Sequence, residues 1–110
     1  MRPARVPDLT HLQFLVLGVL HGGEQPGRVV RHALAEYGVR RTAAAFYQLM
    51  ARLERDRLVD GYYGSIVVGD QSVTERRYRI TPAGAQLWGE TRRFYESVGV
   101  AALNHRWSDA

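Results

Sequence analysis

The side chains that most often carry out catalysis are few in this sequence and do not cluster. Cysteine is absent from the 110 residues, which excludes disulfides, thiolate catalysis and cysteine-ligated metal centres. The histidines show no metal-ligand spacing, and no Gly-x-Ser-x-Gly elbow is present. Acid pairs such as Glu54 and Asp56, or Glu90 and Glu96, do not converge on one helical face. We therefore predict that the protein is not an enzyme and holds no metal or cofactor.

Positive charge is concentrated in the first half of the chain. All 15 basic residues are arginines, and with 11 acidic residues the formal net charge is +4. Residues 1–57 contain nine arginines and five acidic residues, whereas residues 58–110 contain six of each. This distribution predicts a polyanionic partner, such as double-stranded DNA.

The predicted helix from Thr42 to Asp56 has the side chains that a DNA major groove would accept. Its inner face is apolar, and at about 100° per residue its outer face carries arginine, glutamine and alanine. Gln48 suits an adenine edge, Arg52 suits a guanine or a phosphate, and the small Ala44 allows close approach. The same pattern also fits an ordinary amphipathic surface helix.

A predicted β-hairpin follows this helix and adds a second basic element. Residues 58–68 and 73–80 have strand composition, and residues 69–72 have turn composition. Alternation along the second strand places Arg77 and Arg79 on one face and Arg76 and Tyr78 on the other. A basic hairpin beside a groove-sized helix indicates a winged helix, whose wing contacts flanking phosphates. Arginines on an edge strand can also serve only to prevent aggregation.

Two helices before this region and one after it complete the predicted architecture. Thr10 and Gln13 form a capping box for the first helix, and a second helix has an apolar stripe that includes Val30 and Tyr37. Thr81-Pro82 starts a long last helix. The predicted fold is mainly α with a small β-hairpin, a winged helix-turn-helix with a long C-terminal dimerisation helix. Its predicted parts are a flexible arm (1–7), the DNA-binding domain (8–81), the dimerisation helix (82–104) and a tail (105–110).

The first and last helices carry more apolar surface than one small domain can cover, which predicts a homodimer. The predicted dimer residues are Leu12, Phe14, Leu17, Leu87, Trp88, Thr91, Phe94, Tyr95 and Val98. Phe14, Trp88 and Tyr95 are also candidates to line an aromatic effector pocket between protomers. Simple packing of a dimer core is the alternative for these three rings.

Two stretches resemble a known family. Residues 46–59 read FYQLMARLERDRLV and residues 77–84 read RYRITPAG. They resemble the PadR family of bacterial transcriptional regulators, in which a tyrosine stands early in the recognition helix, Leu-x-x-Leu-Glu-x-x-x-Leu-Val ends it, and Arg-x-Tyr-x-Ile/Leu-Thr-x-x-Gly closes the wing. The resemblance covers about residues 9–95.

The resemblance implies a homodimeric repressor that releases DNA when a small aromatic compound binds. It implies that Tyr47 contacts the DNA backbone or packs at its edge, and that Tyr78 anchors the wing. Together with the charged faces described above, the predicted DNA-binding residues are Arg41, Thr42, Ala44, Tyr47, Gln48, Arg52, Arg76, Arg77 and Arg79.

Three segments depart from the family's pattern. Arg57 stands where the family has glycine after the recognition helix, so the helix cap there must use a non-glycine residue, at a cost of about 1 kcal/mol if that residue is left-handed. Residues 66–74 make the wing longer and more apolar than is usual. Pro26-Gly27-Arg28 replaces the family's Gly-Tyr at the second helix.

Two other interpretations of a winged helix stay open, a protein-interaction module for an acidic partner and a sequence-indifferent nucleic-acid binder.

The apolar stretch at residues 12–20 is too short to cross a membrane, which takes about 20 residues, and its flanks do not fit a signal peptide. We therefore expect a cytoplasmic protein without a membrane partner.

Overall fold

The computed structural model describes residues 5–104, which form four helices and a three-stranded antiparallel sheet. The helices are α1 (His11–His21), α2 (Gly27–Glu36), α3 (Ala43–Arg55) and α4 (Pro82–Leu103), and the strands are β1 (Gln25–Pro26), β2 (Val59–Val68) and β3 (Gln71–Ile80). The predicted fold class is confirmed. Residues 1–4 of the predicted arm and the whole predicted tail, 105–110, lie outside the described residues.

Three threonines start three of the helices, as their positions in the sequence predict. Thr10 and Gln13 form the expected capping box, in which each side chain bonds the other residue's backbone N–H. The Thr42 and Thr81 hydroxyl oxygens accept hydrogen bonds from Ala45 N–H at 3.1 Å and Gly84 N–H at 2.9 Å. These caps satisfy backbone donors that the first helical turn leaves free.

The sheet order is β1-β3-β2, with β3 in the centre. The β2–β3 pair is the wing, and its register runs from Val59 opposite Ile80 to Val68 opposite Gln71. The predicted four-residue turn is therefore wrong: only Gly69 and Asp70 lie between the strands. Strand β1 was not predicted, because two residues are too few to show alternation.

One apolar core holds the helices against the base of the wing. Its fully buried members are Val16, Leu17, Leu20, Val30, Leu34, Phe46, Met50, Leu53, Val59 and Tyr78. The predicted apolar stripe of α2 is wrong at Tyr37, which is 69% exposed because the helix has already ended there.

The short segment between α3 and the wing, residues 56–58, also holds the start of α4. Arg57 has a φ of 59°, so the non-glycine residue after α3 is left-handed. The Arg57 carbonyl accepts a hydrogen bond from the Thr81 hydroxyl at 2.7 Å, and the Leu58 carbonyl accepts one from the Thr81 N–H at 3.1 Å. A Cβ on Gly84 would overlap the Leu58 carbonyl oxygen, so α4 lies directly on this connection. The contact fixes where α4 leaves the domain.

Candidate nucleic-acid interface

Helix α3 is held by an apolar inner face and leaves its outer face free. Phe46, Met50 and Leu53 are buried, whereas Gln48 and Arg52 are exposed. Neither Gln48 nor Arg52 has a hydrogen-bond or ion-pair partner among residues 5–104. A groove of about 420 Å³ lies between this face and the start of α1, lined by both side chains. The outer face is therefore open to a partner.

The other predicted contacts on and before α3 are also exposed: Arg41, Thr42, Ala44 and Tyr47. The Thr42 hydroxyl oxygen already caps the helix, which leaves its O–H free to donate. All six of the predicted residues of this region are therefore exposed to solvent.

Arg31 of α2 fixes the entry to α3, a role that the sequence did not reveal. Its Nε and NH2 groups donate hydrogen bonds of 3.2 and 2.9 Å to the carbonyl of Arg41. The bonded carbonyl immediately precedes the cap residue Thr42, so Arg31 ties the two helices together at the turn between them. No local pattern could have shown this contact, because the partners are ten residues apart and one of them is a backbone group.

The arginines on the outer face of the wing are paired with acids of the same chain. Arg77 contacts Glu24 at 3.2 Å and Glu75 at 3.0 Å, and Arg79 contacts Asp60 at 3.4 Å. A hydrogen bond from Tyr62 and a smaller effect of the hydrogen bond from Arg77 lower the pKa of the Glu24 carboxyl. These acids offset the positive charge that the sequence placed on the wing, and the role of Arg77 and Arg79 at DNA stays a prediction.

Arg76 lies on the inner face of the wing, together with Tyr78 as the alternation predicted. Its guanidinium forms an ion pair with Glu54 of α3 and lies 4.9 Å from the ring centroid of Tyr63 and 5.8 Å from that of Tyr78. It points away from the outer-face arginines. The Glu54 partner was missed, because the sequence does not show which acid lies across from the wing.

The predicted dimer residues fall into two groups. Leu17 and Thr91 are 0% and 1% exposed within the protomer, so their assignment to a dimer interface is wrong: Leu17 belongs to the core, and the Thr91 hydroxyl bonds the Leu87 carbonyl at 2.7 Å. The remaining residues keep accessible surface: Leu12, Phe14, Leu87, Trp88, Phe94, Tyr95 and Val98.

Two of the three predicted effector-pocket rings come together. Phe14 and Trp88 stack with centroids 5.9 Å apart and line a recess of about 310 Å³. Tyr95 does not line this recess; its ring packs edge-on against Phe94 at 5.3 Å. Within one protomer the aromatic group is therefore Phe14 and Trp88, which His21 joins by stacking on Trp88 at 4.3 Å.

Among residues 5–104 no three histidine, aspartate or glutamate side chains come together as ligands for a metal ion. None of the helices in this part of the chain combines the length and apolarity that a membrane crossing requires.

Known structures match this fold, although no protein-family model and no curated protein matches the sequence. A PadR family transcription regulator from hypervirulent Clostridium difficile superimposes with a TM-score of 0.72 at 14% identity, over 87% of this chain and 98% of that chain. A PadR-like transcriptional regulator from Bacillus cereus gives 0.70 at 20% identity, over 84% and 88%. Bacillus subtilis PadR in complex with operator DNA gives 0.59 at 19% identity, over 74% of this chain and 47% of that chain. The chain therefore has the winged-helix fold of the PadR-like transcriptional regulators.

Proposed function

We propose that the protein is a cytoplasmic, sequence-specific DNA-binding transcriptional regulator that acts as a homodimeric repressor. The observation that carries this proposal is the outer face of α3, where Gln48 and Arg52 are exposed and unpartnered among the described residues. By contrast, the arginines of the wing all have acidic partners. The presence of operator DNA in the similar Bacillus subtilis PadR structure supports the same partner here.

The side chains of α3 suit direct contact with base edges. Glutamine can form two hydrogen bonds with adenine, and arginine can form two with guanine. Ala44 and Ala51 are exposed beside them and add no bulk that would hold the helix away from the groove. Arg41 and Tyr47 lie at the edge of this face, where the sugar-phosphate backbone passes.

Homodimerisation through α4 and α1 is part of the proposal. Helix α4 has 22 residues, and its last turns present apolar side chains to solvent, with Val100 58% and Leu103 81% exposed. A two-fold dimer would place two copies of α3 in successive major-groove faces, about 34 Å apart, on a near-palindromic operator. Sedimentation equilibrium tests this: a mass of two chains at micromolar concentration is expected, and a monomer throughout would contradict the proposal.

A small aromatic effector is the remaining part of the proposal. The recess beside Phe14 and Trp88 lies between α1 and α4, so a planar ring that entered it would act on the dimer contacts. Planar phenolic acids added to the DNA complex are expected to release the DNA, and a Trp88→Ala variant should resist release. Identical release from both proteins would show that this recess is not the effector site.

Fluorescence anisotropy with the protein's own upstream promoter fragment tests DNA binding. A shuffled fragment of the same composition is the control, at about 150 mM salt, where non-specific binding is weak. We expect a preference for the promoter of about 10³-fold or more. Equal binding to both fragments would favour a sequence-indifferent nucleic-acid binder, and binding to neither would favour a protein-interaction module.

Replacing Gln48 tests the base-contacting role of α3. We expect Gln48→Ala to weaken operator binding by about 1–3 kcal/mol and to relax the base preference at one position of each half-site. Binding to the shuffled fragment should stay unchanged, because the lost contact carries no charge. Equal losses on both fragments would remove Gln48 from this role.

A further inference from the structure

The ion pair between Glu54 and Arg76 joins the recognition helix to the wing. Glu54 lies in the last turn of α3, and Arg76 lies in the middle of β3. Their side chains are only 25% and 26% exposed. Within residues 5–104 no other ion pair connects α3 with the β2–β3 hairpin. The pair is therefore a single charged link between the two elements that a winged helix presents to DNA.

The surroundings of the pair are shaped to hold it. The Arg76 guanidinium lies over the rings of Tyr63 and Tyr78, which favours a cation by its attraction to the ring faces. Gly61 stands opposite Tyr78 on β2, and a Cβ there would lie 2.7 Å from an Arg76 nitrogen and would overlap the Glu54 carboxylate. Any side chain at residue 61 would displace the pair.

The pair sits where it can control the direction of the wing. From Arg76 to the turn at Asp70 the strand runs for about 20 Å at about 3.3 Å per residue. A tilt of 10° at Arg76 would therefore move the wing tip by about 3 Å, which is more than a hydrogen bond tolerates. The distal part of the hairpin is a two-stranded ribbon, since β1 pairs only with Arg77 and Tyr78. A two-stranded ribbon is only marginally stable by itself, so its direction depends on the contacts at its base.

We infer that Glu54 and Arg76 are positioning residues that set the angle between α3 and the wing, and that Arg76 does not itself bind DNA. This inference rests on the proposed function. It differs from the expectation that Arg76 is a DNA contact. A positioning role and a DNA-contacting role for Arg76 predict opposite effects of removing Glu54 on DNA affinity. If Arg76 binds a phosphate, loss of Glu54 frees it and strengthens DNA binding. If the pair positions the wing, loss of Glu54 weakens DNA binding.

The experiment measures DNA affinity of Glu54→Ala, Arg76→Ala and the double variant. The probe is the duplex that the wild-type protein enriches from random-sequence DNA. Each single variant is expected to bind it about tenfold more weakly, and the double variant no more weakly than the worse single one. Glu36→Ala is the matched control, because Glu36 is an exposed helical glutamate whose ion pair is with His32 on its own helix; it should lose no affinity.

Salt dependence separates positioning from phosphate contact. The slope of log K against log [salt] should be the same for Arg76→Ala and wild type, whereas loss of a phosphate contact lowers it by about 0.9. Tighter binding by Glu54→Ala, or a lower slope for Arg76→Ala, would overturn the inference. Circular dichroism at the assay temperature confirms that each variant is folded.

Hydrogen exchange tests the pair without DNA. In Glu54→Ala the backbone amides of residues 59–80 should exchange at least tenfold faster than in the wild-type protein, while the amides of α1 keep their wild-type protection. Unchanged exchange in the hairpin, or equal acceleration everywhere, would overturn the positioning role. Failure of the wild type to enrich any duplex would instead count against the proposed function, and the exchange result would still decide the inference.

Discussion

Replacing Arg57 by glycine should stabilise the protein. Arg57 is the one non-glycine residue with positive φ among residues 5–104, at 59°. Its side chain is exposed, and its hydrogen bonds to Glu54 and Thr81 are made by backbone atoms that glycine also has. The substitution therefore removes a steric penalty but no hydrogen bond or ion pair within the described residues.

The expected magnitude follows from two opposing effects. A left-handed conformation costs a residue with a Cβ about 1–2 kcal/mol. Glycine recovers this energy but makes the unfolded chain more flexible, which costs about 0.4–1 kcal/mol. The net gain is about 0.5–1 kcal/mol, or a rise in Tm of about 2–4 °C for a domain of this size.

Thermal unfolding at one fixed protein concentration measures the effect, since dimerisation would make Tm depend on concentration. Arg57→Ala is the matched control, because it removes the same side chain but keeps the Cβ. It should unfold close to wild type. If Arg57→Gly melted at or below the temperature of Arg57→Ala, the reasoning from backbone strain would be refuted.

Two further predictions concern the connection to α4 and the buried tyrosine. Gly84→Ala should destabilise the protein by about 2–3 kcal/mol in urea unfolding, because the new Cβ overlaps the Leu58 carbonyl. Gly89→Ala is the control and should not destabilise the protein, because its Cβ meets only the flexible end of Arg93. Equal destabilisation by both variants would contradict the contact between Gly84 and Leu58. Burial raises the pKa of Tyr78 to about 12 from 10.0, so the stability that its neutral phenol contributes below pH 10 should be lost as the pH rises from 10 to 12. In urea unfolding at successive pH values Tyr78→Phe should lose less stability across this range, and an identical loss would show that another group is responsible.

The local elements could be predicted from the sequence because their signals are local. The capping box at Thr10 and Gln13, the caps Thr42 and Thr81, and the apolar spacing in α3 each act within a few residues. The place of Arg57 after the recognition helix indicated a non-glycine cap, and the structure shows that its backbone is left-handed. The outer face of α3 followed from helical geometry alone, since the apolar positions fix the direction of all the others.

The sequence was less informative wherever two distant elements meet. Leu17 and Thr91 lie at positions that the helical spacing assigned to a dimer interface, yet both are buried within the chain. Spacing shows which face of a helix a side chain lies on, but not which other element covers that face. Tyr37 fits the apolar stripe of α2 by spacing, but the helix ends before it.

The sequence by itself determined the order of the elements, the exposed face of α3 and the net charge. Only the tertiary structure decided which charges are free. The wing has three arginines in four residues, and each of them meets an acid from another part of the chain: Arg76 meets Glu54, Arg77 meets Glu24, and Arg79 meets Asp60. Ion pairing depends on separation in space, which falls within about 4 Å only after strands and helices pack together. Within residues 5–104 the structure thereby leaves Arg52 of α3 without an acidic partner and pairs Arg76 with Glu54 inside the protein.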